Sequence, residues 1–271
     1  MYEFLSTGSI GVDGLFGGGW ERGSVGEIWG GVGTGKTTLA QHSINDLEPP
    51  AEALWITVGS EVPHRQIRAS VVAPRTAEEV FTICSAASYL SDGLTVVDHA
   101  GGLIRSREFD SSPDYDRWYT PSPHREFKVE LDQMKDDCER SGRTVIFLSK
   151  PRDKERSPIR GTGVSEKATQ RVNLKVLHAY QDGSKKIEAS LKDGSSCEYI
   201  IRPGTGIDWA EELLRTGVEH DIVIKRGAWY VMPDHRTVQG TEDAIRYVRE
   251  FPAVAAYLNR EIRKDLGIEW E

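Results

Sequence analysis

Residues Gly30 to Thr37 read GGVGTGKT and satisfy the spacing G-x-x-x-x-G-K-[ST]. Glycines at these positions let successive backbone N–H groups turn inward, and a following helix adds its positive end, so such a loop suits phosphate oxygens. Lys36 is placed to reach the β- and γ-phosphates of a nucleotide, and the Thr37 hydroxyl to hold Mg2+. The candidate nucleotide-binding residues are thus Gly30, Gly31, Val32, Gly33, Thr34, Gly35, Lys36, Thr37 and Thr38. A glycine-rich turn with a chance lysine is the alternative. The strand-like SVGEIWG before the loop and the helical KTTLAQHSIND after it favour the phosphate cradle.

Two carboxylates could complete the chemistry. Asp98 ends the apolar run LTVVD, where a carboxylate binds the magnesium ion or its water, or else caps a helix. Glu61 lies just past ALWITV on the same expected sheet edge. There it is either a general base for water attacking the γ-phosphate or a surface loop residue, and position alone does not separate the two.

Two stretches could contact a polymer. Arg107 to Arg125 carries Arg117, Trp118 and Tyr119 among prolines and serines. Aromatics beside cations suit unpaired bases and backbone, although aromatics in a long loop also serve as packing anchors. Between Lys150 and Lys175 stand eight basic residues against three acidic ones, in a chain of net charge −8. Arg152, Lys154, Arg156 and Arg160 lead this run, which is either a solvated loop or a set of phosphate contacts.

These residues need a scaffold, and the sequence alternates strand and helix. ALWITV, LTVVD and TVIFLS are short apolar runs of buried strands. Val80, Ile83, Cys84, Ala87 and Leu90 recur at helical spacing, as do Phe127, Leu131, Met134 and Cys138. That rhythm predicts an α/β fold, a mostly parallel sheet flanked by helices on both faces. RVNLKVLHAY, KKIEASL and CEYIIRP, separated by QDGS and KDGSS, predict antiparallel strands that extend the sheet. Asp208 with Glu211 reads as a helix-opening pair before AEELLRTG. The expected division is residues 1–205 as the core and 206–271 as a small C-terminal lobe. The 271 residues include no apolar run of membrane-spanning length, and the N-terminus lacks a signal-peptide pattern, so a cytoplasmic protein without membrane contact is expected. Three scattered cysteines argue against a disulfide framework and a zinc site.

With these motifs in place, the chain resembles a known family. LSTGSIGVDGLFGGGWERGSVGEIWGGVGTGKTTL is similar to the opening of the RecA recombinase core, and LTVVDHAGGL to that family's second nucleotide motif. GTGIDWAEELLRTGVEHDIVIKRGAWY, followed by QG and FPAVAAYLNREIRK, resembles the bacterial RecA C-terminal lobe, and KRGAWY is its most discriminating part. The resemblance implies a P-loop NTPase core of RecA type with a small α+β C-terminal lobe, ATP and Mg2+ as cofactors, and a DNA-dependent ATPase that pairs homologous strands. It implies that Glu61 is the catalytic glutamate beside Lys36. It also implies that residues 107–125 form the first DNA-binding loop and that RGTGVSEKATQRVNLKV lies in the second, with Gly161, Gly163 and Lys167 at the matching positions. Single-stranded DNA, duplex DNA and further copies of the chain are the implied partners. Lysines of a neighbouring copy reach the γ-phosphate in the family; Lys192 is the candidate here, with Lys185 and Lys186 as alternatives.

The sequence departs from the family in three places. Ser149-Lys150 replaces an Asn-Gln pair that senses the γ-phosphate, so coupling to DNA is expected to be weaker or to run through Lys150. The VPHR that follows Glu61 leaves adenine contacts unassigned. The chain also begins almost at the core, without the family's N-terminal docking segment, as expected of a compact bacteriophage-encoded form. A ring-forming motor or helicase, and a weakly hydrolysing annealing partner, stay open as alternatives.

Overall fold

A computed structural model describes residues 3–47, 52–58, 68–90, 92–103, 127–151 and 163–268. A short ribbon, β1 (Phe4–Leu5) paired with β2 (Trp20–Glu21), precedes the main sheet. That sheet contains β3 (Val25–Gly30), β4 (Glu52–Thr57), β5 (Ser70–Val72), β6 (Gly93–Asp98), β7 (Thr144–Ser149), β8 (Gln170–Ala179), β9 (Lys185–Ser190), β10 (Ser196–Arg202) and β11 (Gly206–Ile207). Across it the order is β11-β10-β9-β8-β3-β7-β6-β4-β5. The run from β8 to β5 is parallel, and β9, β10 and β11 continue it antiparallel.

The apolar runs are continuous because helices cover both faces of the parallel strands. Alternate side chains of TVIFLS go to opposite sides: Val145 and Phe147 join one core, Ile146 and Leu148 the other. The first of these cores is closed by helices 77–90 and 128–141, through Val80, Phe81 and Cys84 and through Leu131, Met134 and Cys138. The second is closed by helix 36–45, through Leu39, Ala40 and Ile44. Each fully buried side chain of this size contributes about 1.5–3 kcal/mol. Cys84 and Cys138 are buried free thiols, pushed up by burial, the latter to about 12.

A third core lies beyond the sheet, among helices 209–219, 241–250 and 252–265 and a small antiparallel sheet of β12 (Ile224–Arg226), β13 (Trp229–Val231) and β14 (Thr237–Gln239). Local sequence sets its helix starts. The Asp208 carboxylate accepts the Glu211 amide at 3.3 Å, and Pro252 occupies the first turn of the last helix. Ile10, from the short helix Ile10–Leu15, completes this core. Buried Asp13 on that helix also takes the Arg263 guanidinium at 2.6 Å, so the chain's first helix is clamped to its last. Neither helix 10–15 nor β5 is announced by the apolar periodicity of the sequence.

Candidate nucleotide site

β3 ends at Gly30, β6 at Asp98 and β7 at Ser149, and these neighbouring ends put Lys36, Thr37, Asp98 and Lys150 around one cavity of about 550 Å3. Gly31 to Gly35 loop from β3 into the helix that begins at Lys36. Gly35 holds a left-handed φ of 92°, and a Cβ there would meet the Ile201 Cδ1 at 2.2 Å, so this step of the loop demands glycine. Val32 stands exposed at the rim, while Thr34 folds inward and its hydroxyl donates to the Gly31 carbonyl at 3.0 Å. The first turn of the following helix leaves backbone N–H groups without intrahelical partners, facing the loop.

Lys36 is the loop's cation, and it is almost fully buried. Its Nζ donates to the carbonyls of Gly30 at 2.8 Å and Gly31 at 2.6 Å, which arches the side chain over the loop. Burial lowers this ammonium to about 8, with the Lys150 charge acting in the same direction and Asp98 opposing both. Burial also raises the Asp98 carboxyl, against the pull of Lys150 and Lys36. His99 next to it adopts a left-handed φ of 66° and turns the chain into the short turn Ala100–Gly102.

Oxygen donors suit a hard divalent cation, and Thr37 and Asp98 both line this cavity. With a buried cation, a glycine loop and a helix start on the same wall, the residues present fit a nucleotide phosphate chain with its magnesium. Thr38 lines the cavity as well. Glu61 lies outside the described residues. So do Arg107, Arg117, Trp118, Tyr119 and Arg125 of the first candidate DNA loop, and Arg152, Lys154, Arg156, Arg160 and Gly161 of the second. The described part of the second stretch is tied down. Gly163 precedes a one-turn helix, Val164–Lys167, whose Lys167 forms an ion pair with Asp132, and Arg171 Nε donates to the buried Glu27 at 2.7 Å.

The antiparallel strands add Ile201, Arg202 and Pro203, which sequence reasoning missed, and bring Lys185 to the same cavity. β8 pairs Leu174 with Gly30 and runs on to Ala179, so the β8–β9 turn overhangs the glycine loop. Lys185 at the start of β9 donates to the Gly33 carbonyl at 3.0 Å, and Ile201, Arg202 and Pro203 line the same cavity. The ten-residue length of β8, against six for its parallel neighbours, was the available signal. Lys185, one of the alternatives for a lysine reaching a neighbour's nucleotide, is thus bonded to its own chain's loop. Lys192 occupies the β9–β10 turn, at the end of the sheet opposite to the glycine loop.

The RecA C-terminal domain profile matches residues 211–267, the third core described above. The RecA protein of Limosilactobacillus reuteri (strain DSM 20016) is 27% identical over 303 residues, covering 98% of this chain and 80% of the relative. That of Roseiflexus sp. (strain RS-1) is 28% identical, covering 96% of this chain and 81% of the relative. The RecA protein of Salinispora tropica is 26% identical, covering 97% and 83%.

Over nearly its whole length the chain is thus similar to RecA proteins, and residues 211–267 match the RecA C-terminal domain. Its mostly parallel sheet, helix-covered faces and extra antiparallel strands are those expected of a RecA-type core with its C-terminal lobe. The Ser149-Lys150 pair stands at the end of β7, with Ser149 buried beside Trp29 and Lys150 lining the cavity. Among the described residues no helix is long and apolar enough to cross a membrane.

Proposed function

We propose that this chain is a recombinase that binds single-stranded DNA under the control of ATP, hydrolyses ATP when DNA is bound, and pairs the strand with homologous duplex DNA. The observation that carries this reading is the placement of Lys36, Thr37 and Asp98 on one cavity, at the ends of the strands from which the two DNA-loop segments continue. The basic run beginning at Arg152 starts two residues after cavity-lining Lys150, and residues 104–126 follow β6 and its short turn. A phosphate event at the cavity is thus one or two peptide units from the second basic segment.

In this scheme the loop Gly30–Thr37 orients the phosphate chain, with Lys36 leaving its carbonyl partners for the phosphate oxygens. Thr37 and Asp98 would hold Mg2+, which neutralises phosphate charge when bound. Glu61 polarises the attacking water. Lys192, in the turn at the opposite end of the sheet from its own loop, meets a nucleotide on another copy, which makes the working form a homo-oligomer. Residues 1–205 form the ATPase core and 206–271 the lobe, and the protein acts in the cytoplasm.

The test is steady-state ATP hydrolysis with and without single-stranded DNA. Stimulation by DNA, lost in Lys36→Ala and Glu61→Gln, supports the reading. Hydrolysis that ignores DNA would leave a nucleotide-binding annealing protein. Electron microscopy with DNA and a non-hydrolysable nucleotide separates a helical filament from the ring of a motor.

A further inference from the structure

The cavity's cations differ in how they are compensated. Arg202 lines it, but its Nε is bonded to the Asp208 carboxylate at 2.5 Å and its charge is spent there. Lys36 is committed to loop carbonyls. Lys150 and Lys185 also line the cavity, and among the described residues neither has a carboxylate within ion-pair distance. They approach from different elements: Lys150 from the end of β7, beside Asp98, and Lys185 from the overhanging hairpin, above Gly33. Asp98 is the lone carboxylate among the described lining residues.

Two ammonium groups on one cavity, with Asp98 as the lone carboxylate among its described lining residues, favour an anion between them. A nucleoside triphosphate supplies that anion. It carries one phosphate more than the diphosphate, so cations placed beyond Lys36 discriminate between the two. Both lysines belong to the chain that owns the loop, whereas Lys192 lies at the other end of the sheet.

We propose that Lys150 and Lys185 hold the polyphosphate together with Lys36, so that the preference for a triphosphate over a diphosphate is set within a single copy of the chain. The inference rests on the nucleotide reading of the cavity and goes beyond it by assigning the selectivity to two residues in cis. Its consequence is that triphosphate is recognised before assembly, and a neighbour's lysine then acts on turnover and not on binding.

The experiment measures ATP and ADP affinities by calorimetry, with Mg2+ and without DNA, across protein concentrations on both sides of assembly as tracked by light scattering. Lys150→Met, Lys185→Met and the double variant are compared with wild type and with Lys128→Met, an exposed lysine on helix 128–141. The expected result is a concentration-independent ATP preference in wild type and Lys128→Met. Each cavity variant is expected to lose about tenfold of it, mostly through ATP. An unchanged ATP-to-ADP ratio in the double variant, with a native circular dichroism spectrum, overturns the proposal. So does a wild-type preference that appears only on assembly. Binding of neither nucleotide by wild type would overturn the nucleotide reading itself, and this inference with it.

Discussion

His42 Nε2 accepts the Ile207 amide at 2.9 Å, which bonds the helix that opens with Lys36 to the strand that leads into the C-terminal lobe. The ring is enclosed by backbone: a Cβ on Gly206 would lie 2.2 Å from Nε2. The helix that follows the glycine loop and a C-terminal lobe distant in sequence are therefore one mechanical unit behind the cavity.

Gly206→Ala tests this tie. Gly206 holds φ at 90°, so a side chain there is both strained and in collision with the imidazole. The expected loss is about 2–3 kcal/mol, read from urea denaturation. An unchanged midpoint would show that the lobe is not seated against His42.

A second tie is sensitive to pH. Buried Glu212 accepts the Ser9 hydroxyl at 2.5 Å and the Gly11 amide at 3.0 Å, which holds helix 10–15 to helix 209–219. Burial pushes its carboxyl up to about 7, against the hydrogen bonds from Ser9 and Gly11. A raised carboxyl favours the protonated folded state, so the stability it confers is complete below about pH 4.5 and is lost as pH rises through about 7. That loss amounts to roughly 3 kcal/mol. Glu212→Gln keeps an acceptor for both donors and removes the titration. The stability difference between wild type and variant should therefore shift by that amount across the window, measured by denaturation at each pH. A flat difference would contradict the burial argument.

Not every cation in the basic stretch is available to DNA. Arg171 neutralises buried Glu27 at 2.7 Å on the neighbouring strand. Arg171→Ala strands that carboxylate, and the expected cost is about 3 kcal/mol of stability. The salt dependence of DNA binding by the surviving folded protein should stay as in wild type. A reduced salt slope with normal stability would move Arg171 to the DNA surface.

Much of this architecture is legible in the amino-acid sequence. TVIFLS and LTVVD declare themselves as buried parallel strands, because both faces are covered and no polar alternation is needed. Asp208 and Glu211 mark a helix start in the sequence, and the carboxylate-to-amide bond is there. The Gly30–Thr37 loop and the helix after it are legible for a local reason, since their glycines and the helix start are consecutive in the chain. The places of Lys150, Lys185 and Arg202 on the cavity are not legible, because they depend on strand order and on how far β8 runs beyond β3. The excess of basic residues is visible as a run, but the pairing of Lys167 with Asp132 and of Arg171 with Glu27 is set by tertiary packing. Helix 10–15 escapes a sequence reading since it has only six residues and owes its stability to Arg263 and Glu212, far along the chain.

The most direct measurement is the affinity of the purified protein for a fluorescent single-stranded oligonucleotide, taken with ATP or a non-hydrolysable analogue, with ADP, and with no nucleotide. The account predicts at least about tenfold tighter binding with the triphosphate than in the other two states, and no such gain in Lys36→Ala. Equal affinity in all three states would contradict it.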